Sequence, residues 1–183
     1  MLEVGNLANA TEDRSHFGAW AIVSSPLILS FDLTDSARMD RAWPIISNRR
    51  VLAVNQHFVG DPGRRVALAA DGWQAWAKRM GKAPGSSSFA VFLVNTGAQL
   101  VRVTLPLQNV SSAYTSDAAV CARDLYTGVL HLLPSRAPLE ATLGAHDSGM
   151  YCAWQGASCD SAFAASTASE SAETECLGFL DIY

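Results

Sequence analysis

What this sequence lacks narrows it before any motif is read. It has no basic stripe: acidic and basic residues are mixed and the net charge is −4, so nucleic acid is not an expected partner. It has no long apolar run. The longest, FGAWAIVSSPLIL, is 13 residues and holds two Ser and a Pro, against the ~20 that a bilayer-spanning helix needs, so no membrane partner is expected. Nor does it read as a signal peptide, because Glu3, Glu12 and Asp13 stand where a positive region should be. The four cysteines, Cys121, Cys152, Cys159 and Cys176, form no CxxC pair, which argues against a zinc ribbon; disulfides are compatible with the spacing but their pairing stays open. His16, His57, His131 and His146 show neither HxH nor HxxxH spacing, so neither a metal nor a cofactor is expected. Ser24-Ser25 has no GxSxG setting and no base near it in sequence. There is no internal repeat.

What is present is globular, with apolar residues at 49% and charged residues at 16%. Residues 1–60 read as strand end, helix, strand, helix. Thr11 is the expected N-cap of the first helix, with Glu12 and Asp13 at its positive end and Phe17, Trp20 and Val23 as an apolar stripe that Ile22 widens. Pro26 stops it. LILSF (27–31) fits a buried strand, Asp32, Thr34 and Asp35 offer caps for a second helix that Pro44 would interrupt, and Asn48 caps a third with Val51, Leu52 and Val54 inward. This is the order of an α/β fold with parallel strands, yet two such units leave strand edges and faces bare.

GDPGRR marks a boundary. Through residues 61–155 the rhythm changes to short strands between turn signals: RVALAA, GWQAWAKRM, SFAVFLVN, QLVRVTLP, VCARDLY, LEATL and GMYCAW. Val101, Val103 and Leu105 alternate with Arg102 and Thr104, the pattern of an antiparallel β-sandwich. Trp73 and Trp76, three apart on one strand, should point to opposite faces. From 156 to 183 the chain is rich in Ser, Ala and acid, and is expected to be a disordered, low-complexity tail.

Two sequons, at Asn9 and Asn109, are candidate N-glycosylation sites. Asp32 and Asp35 could be paired carboxylates of a glycosidase, but their place before a helix already gives them a capping role.

MLEVGN, then TEDRSHFGAWAIVSSPLILSFDL, then NRRVLAVNQHFVG, resemble in order the α-galactosidases of glycoside hydrolase family 27. WQAWAKRM, VFLVNTG, ARDLY and LGAHDSGMYCAW continue the resemblance to about residue 154. It implies the last βα units of a TIM barrel (1–60) followed by an antiparallel β-sandwich (61–155). It implies a retaining enzyme for terminal α-galactosides, whose nucleophile and acid/base Asp precede residue 1. Met1 alone then matches a position that lines the substrate pocket, and no catalytic residue falls within the chain. A glycan at Asn9 would crowd the pocket entrance, which argues against its use. His57-Phe58, Phe31 and Pro44 depart from the family's pattern.

The opening therefore reads as cut within a longer chain, and the 183 residues alone are expected to be inactive. The partner is an α-galactoside or related glycan through the full-length enzyme, which is expected to be secreted, lysosomal or vacuolar; a homo-oligomer is compatible. An α-N-acetylgalactosaminidase, a β-arabinopyranosidase, or a non-catalytic glycan- or protein-binding module are the alternatives.

Overall fold

The computed structural model describes residues 1–81, 87–115, 117–156 and 159. Three helices come first: α1 (Ala10–Ile22), α2 (Ser36–Ile46) and α3 (Arg49–Gln56). Eight strands follow: β1 (Arg64–Leu68), β2 (Trp73–Arg79), β3 (Phe89–Asn95), β4 (Val101–Leu105), β5 (Val120–Asp124), β6 (Leu130–Leu133), β7 (Leu139–Leu143) and β8 (Ser148–Trp154). Two short 3₁₀ turns, Leu107–Asn109 and Ser112–Thr115, lie between β4 and β5.

Six strands form one antiparallel sheet in the order β1-β2-β3-β8-β5-β6, and β4 pairs with β7 in a separate two-stranded ribbon. The ribbon shows the alternation read from the sequence, with Val101, Val103 and Leu105 buried and Arg102 and Thr104 exposed. It covers one face of the large sheet, where Ala75, Val91, Leu93, Ala122, Tyr151 and Ala153 share its core. The helices cover the other face, where Phe17, Ile22 and Val54 pack on Phe92, Met150 and Trp154. β8 is therefore buried at every position, and its unbroken apolar run reflects two covered faces rather than one. Trp73 joins the ribbon-side core and Trp76 the helix-side core, on opposite faces as their spacing requires.

The helical part corrects several expectations. α1 is capped by Asn9, not Thr11. Asn9 Oδ1 accepts from Glu12 N at 2.9 Å while Asn9 Nδ2 donates to Glu12 Oε1 at 3.2 Å, a reciprocal cap with Asn in place of Ser or Thr. The buried face of α1 is Asp13, Phe17, Gly18, Ala21 and Ile22, while Trp20 and Val23 are only half-buried. Gly18 sets this face: a Cβ there would stand 2.5 Å from Phe92 Cε2 and 2.7 Å from the Tyr126 hydroxyl. α2 runs through Pro44 to Ile46 rather than breaking; its ring and flank lie at the exposed side of the molecule. LILSF is not a strand. It makes one parallel bridge, Leu29 to Leu2, and Ile28 is exposed. β6 has no counterpart among the expected strands.

Cys159 is buried and disulfide-bonded to Cys121 of β5, across 38 residues, and Cys152 is disulfide-bonded as well. Apart from Cys159, the stretch expected to be a disordered tail lies outside the described residues beyond Gly156.

Candidate functional site

The parallel bridge gives the molecule a polarity. Leu2 N donates to Ile28 O at 2.8 Å, and the two segments, linked through α1, leave the bridge side by side. Polar contacts concentrate where they leave it. Ser30 Oγ donates to Leu2 O at 2.9 Å. Asn6 Nδ2 donates to Glu3 Oε2 and to Ser30 Oγ, and Arg38 Nη1 donates to Asn6 Oδ1 at 2.6 Å. Below them sits Asp13, with no exposed surface. Its Oδ1 accepts from Gly5 N at 2.8 Å and its Oδ2 lies 2.9 Å from Arg41 Nε. Arg41 Nη2 then donates to Gly5 O and Leu7 O. The Gly5 backbone is thus held from both sides, at a positive φ of 89° over the Phe31 ring, a conformation glycine adopts without strain.

His16 stacks on Trp20 at 4.1 Å and its Nε2 accepts from Glu3 N at 3.1 Å. Accepting requires the neutral ring. Partial burial lowers its pKa below the usual range, against the pull of Glu3 and Asp13, so the same form is favoured twice.

The structure places the expected residues as follows. Met1 is 73% exposed beside the bridge. Asp35 caps α2 by accepting from Arg38 N. Asp32 accepts from the amide and hydroxyl of Thr34, which lower its pKa. Both carboxylates are therefore engaged in turn and cap bonds. Asn9 caps α1, and Asn109 is exposed at the end of a 3₁₀ turn. His57 is buried in the connector, whereas His131 and His146 are exposed and far apart in sequence. Among the described residues no group of three or more His, Cys, Asp or Glu could hold a metal ion.

Two pairings escaped the sequence. Asp13 reads there as a charge at a helix N-terminus, and nothing marks Arg41 as its partner. The second is Lys78, whose side chain on β2 is almost wholly buried. Its Nζ donates to Ser24 Oγ and to Val54 O, each at 2.5 Å. Burial brings its pKa down to about 8. Ser24 does have a basic partner, then, 54 residues away. The available signal was a lysine at a position flanked by alanine and arginine in a strand that carries two tryptophans.

No family model matches the chain. Curated relatives do. It is 37% identical over 153 residues to an α-galactosidase of Coffea arabica, covering 82% of this chain and 38% of that protein. It is 32% identical over 152 residues to one of Oryza sativa, covering 82% and 34%. Over 82% of its length the chain is similar to these α-galactosidases, and its structural neighbours include family 27 α-galactosidases. It spans about a third of the length of these relatives, a coverage consistent with a C-terminal portion. The solved structure of α-galactosidase I from Mortierella vinacea matches at a TM-score of 0.68 and 25% identity, over 83% of this chain and 38% of that one. An α-galactosidase from Saccharomyces cerevisiae, solved with raffinose, has the same fold at a TM-score of 0.70 and 21% identity, over 85% and 46%. The antiparallel body with few helices is common to these structures.

Proposed function

We propose that the chain is the end of a retaining family 27 glycosidase, carrying the last βα units of its TIM barrel and the β-sandwich that follows. The observation that carries this reading is the parallel bridge between Leu2 and Leu29, joined through α1. A right-handed β-α-β crossover is the unit from which such barrels are built, and their chemistry lies where the strands end. That is where Glu3, Asn6, Ser30, Arg38 and the Asp13–Arg41 pair collect. Met1, Ile28 and Leu33 flank this bridge and are exposed apolar residues, as befits surfaces that neighbouring barrel strands and helices would cover.

The parent reaction is hydrolysis of terminal α-galactosides through a covalent glycosyl-enzyme, which needs two carboxylates ~5 Å apart. Asp32 and Asp35 are engaged in turn and cap bonds, and the resemblance to the family implies that its nucleophile and acid/base are supplied from outside these residues. Met1 lines the pocket and the Gly5–Leu7 loop is held rigid behind it. The sandwich domain begins after Gly60 and the helix layer ends there. Assay with an aryl α-galactoside tests the reading: the chain alone gives no chromophore, and fusion behind the N-terminal two-thirds of the Coffea arabica enzyme restores it. Turnover by the chain alone, or an inactive but folded fusion, would overturn it.

A further inference from the structure

A second constellation lies at the opposite end of α1, away from the polar loops, and the glycosidase reading makes no use of it. α1 ends in a Schellman motif: Ser24 N donates to Ala21 O and Ser25 N to Trp20 O. Ser24 occupies the left-handed position of that motif, with φ 55°, where glycine is usual and a serine is strained. Its side chain is what the position holds. Ser24 Oγ donates to Asn55 O at 2.9 Å and accepts from Lys78 Nζ at 2.5 Å. Ser24 also lines an open cleft of about 430 Å³ with Val23, Pro26, Leu27, Gln56 and Phe58. That volume lies within the range of small-molecule sites, roughly 300–1,000 Å³. Phe58, one of the departures from the family's pattern, is an exposed wall of the cleft. Lys78 is behind the serine, out of the solvent.

We propose that Ser24 is a nucleophile served by Lys78 as its base, and that it takes acyl groups from small activated esters bound in this cleft. The arrangement is that of an activated nucleophile: hydroxyl and amine within hydrogen-bond reach, the amine desolvated, the hydroxyl at a sharp turn facing a cavity. With Lys78 neutral, the Ser24 hydroxyl turns from Asn55 O to Nζ. Oγ bonds to the ester carbonyl carbon as its proton passes to Nζ, and the carbonyl π pair moves onto oxygen. Gln56 spends one N–H of its amide on Asn55 Oδ1 at 2.7 Å and has a second to offer that oxyanion. Collapse expels the leaving alkoxide, which takes the proton from Nζ. Water then attacks the acyl-serine, its proton passing through Nζ back to Ser24 Oγ.

The base is available because burial alone pulls the Lys78 pKa down to about 8. No carboxylate or second cation on α1, α3 or the neighbouring strands contributes to that shift among the described residues. The adjacent Arg79 turns instead to Val59 O and Asp61.

The test uses the 183-residue chain with p-nitrophenyl acetate and, in parallel, a fluorophosphonate, between about pH 6 and pH 10, which brackets the lysine. Peptide mapping by mass spectrometry is expected to find one adduct, on Ser24, forming at a rate that rises with a midpoint near pH 8. Ser24→Gly, which suits the left-handed position, should fold and lose the adduct. Lys78→Arg keeps the cation but supplies no base, and labelling should fall by about 100-fold. A folded wild-type chain without a Ser24 adduct, or a Lys78→Arg chain labelled at the wild-type rate, would overturn the proposal. So would a Ser24 rate that is flat with pH, a readout that needs no variant.

Discussion

The two faces of the six-stranded sheet are closed in different ways. On one face the β4–β7 ribbon lays Val101, Val103, Leu105, Leu139 and Leu143 on Ala75, Val91, Leu93 and Ala122, a mostly apolar contact with polar bonds from the buried Asn95 to Gly144 O and from the buried Tyr114 to Ala153 O. On the other face three helices bring Asp13, Ser15, Asn55, His57 and Lys78 inside with the apolar residues. Hydrophobic contact is non-directional, so the ribbon face specifies proximity and leaves detail to strand register. The helix face adds directional groups, each needing its partner when buried. Arg14 bonds Asp147 at 2.5 Å and sits over the Tyr126 ring, Ser15 bonds His146 O and Ser148 Oγ, and Asn48 reaches Leu125 O. These bonds fix how the helices dock, and through α1 they fix the loops at the bridge. Burial also raises the pKa of Tyr126 on this face, and that of Tyr114 in the ribbon-side core, well above the usual range.

The contrast can be broken at graded cost. Trp154→Ala removes the largest fully buried side chain of the helix-facing core and is expected to lower stability by about 3–5 kcal/mol in urea unfolding. Cys159→Ser opens a 38-residue loop that ties the chain to β5, and should cost about 2–4 kcal/mol in the same measurement. Asp13→Ala leaves Arg41 and the Gly5 amide without their partner. Arg41 keeps a third of its side chain exposed, so the loss should be about 2 kcal/mol rather than the larger value of a fully buried pair. Gly18→Ala pushes a methyl into Phe92 and Tyr126 and gains helix propensity; the clash should win by about 1 kcal/mol.

The smallest effect is one of pH. Burial depresses the His16 pKa in the folded state, so folding takes up fewer protons there than the unfolded chain does. The stability this contributes is present above about pH 6.5, the unfolded value, and is lost as pH falls toward the folded one. His16→Gln should flatten the low-pH limb of a melting-temperature profile, while Leu105→Ala, on the ribbon face, should lower the whole profile without changing its shape.

Much of the sheet was legible in the sequence, because strand patterns are local. The ribbon strand β4 shows its alternation openly. β3 and β8 are readable as strands, although burial on both faces depends on helices far away in sequence. β6 was missed since LHLL is an edge segment with His131 exposed, too short and mixed to mark itself. LILSF failed for the reverse reason: its composition suits a strand, but a strand needs neighbours, and Leu29 finds one bridging partner. In NATE the reciprocal spacing of Asn9 and Glu12 was visible and should have outweighed Thr11. The stripe on α1 was half right: Phe17 and Ile22 are buried against the sheet, but the small residues Gly18 and Ala21 complete that face, and Trp20 and Val23 lie at its half-buried edge. At the site, the capping roles of Asp32 and Asp35 were readable from position. Asp13–Arg41 and Ser24–Lys78 were not, because each is created by tertiary packing across 28 and 54 residues.

The central claim is that the large sheet is covered on both faces while the helix layer ends, among the described residues, in one parallel bridge. Native-state hydrogen exchange, resolved by residue, tests it most directly. The account predicts that the amides of Val91, Leu93, Met150 and Cys152 exchange only through global unfolding. The Leu2 amide, held by one bond to Ile28 O, should exchange faster by orders of magnitude. Equal protection of Leu2 and the β3–β8 amides would contradict it.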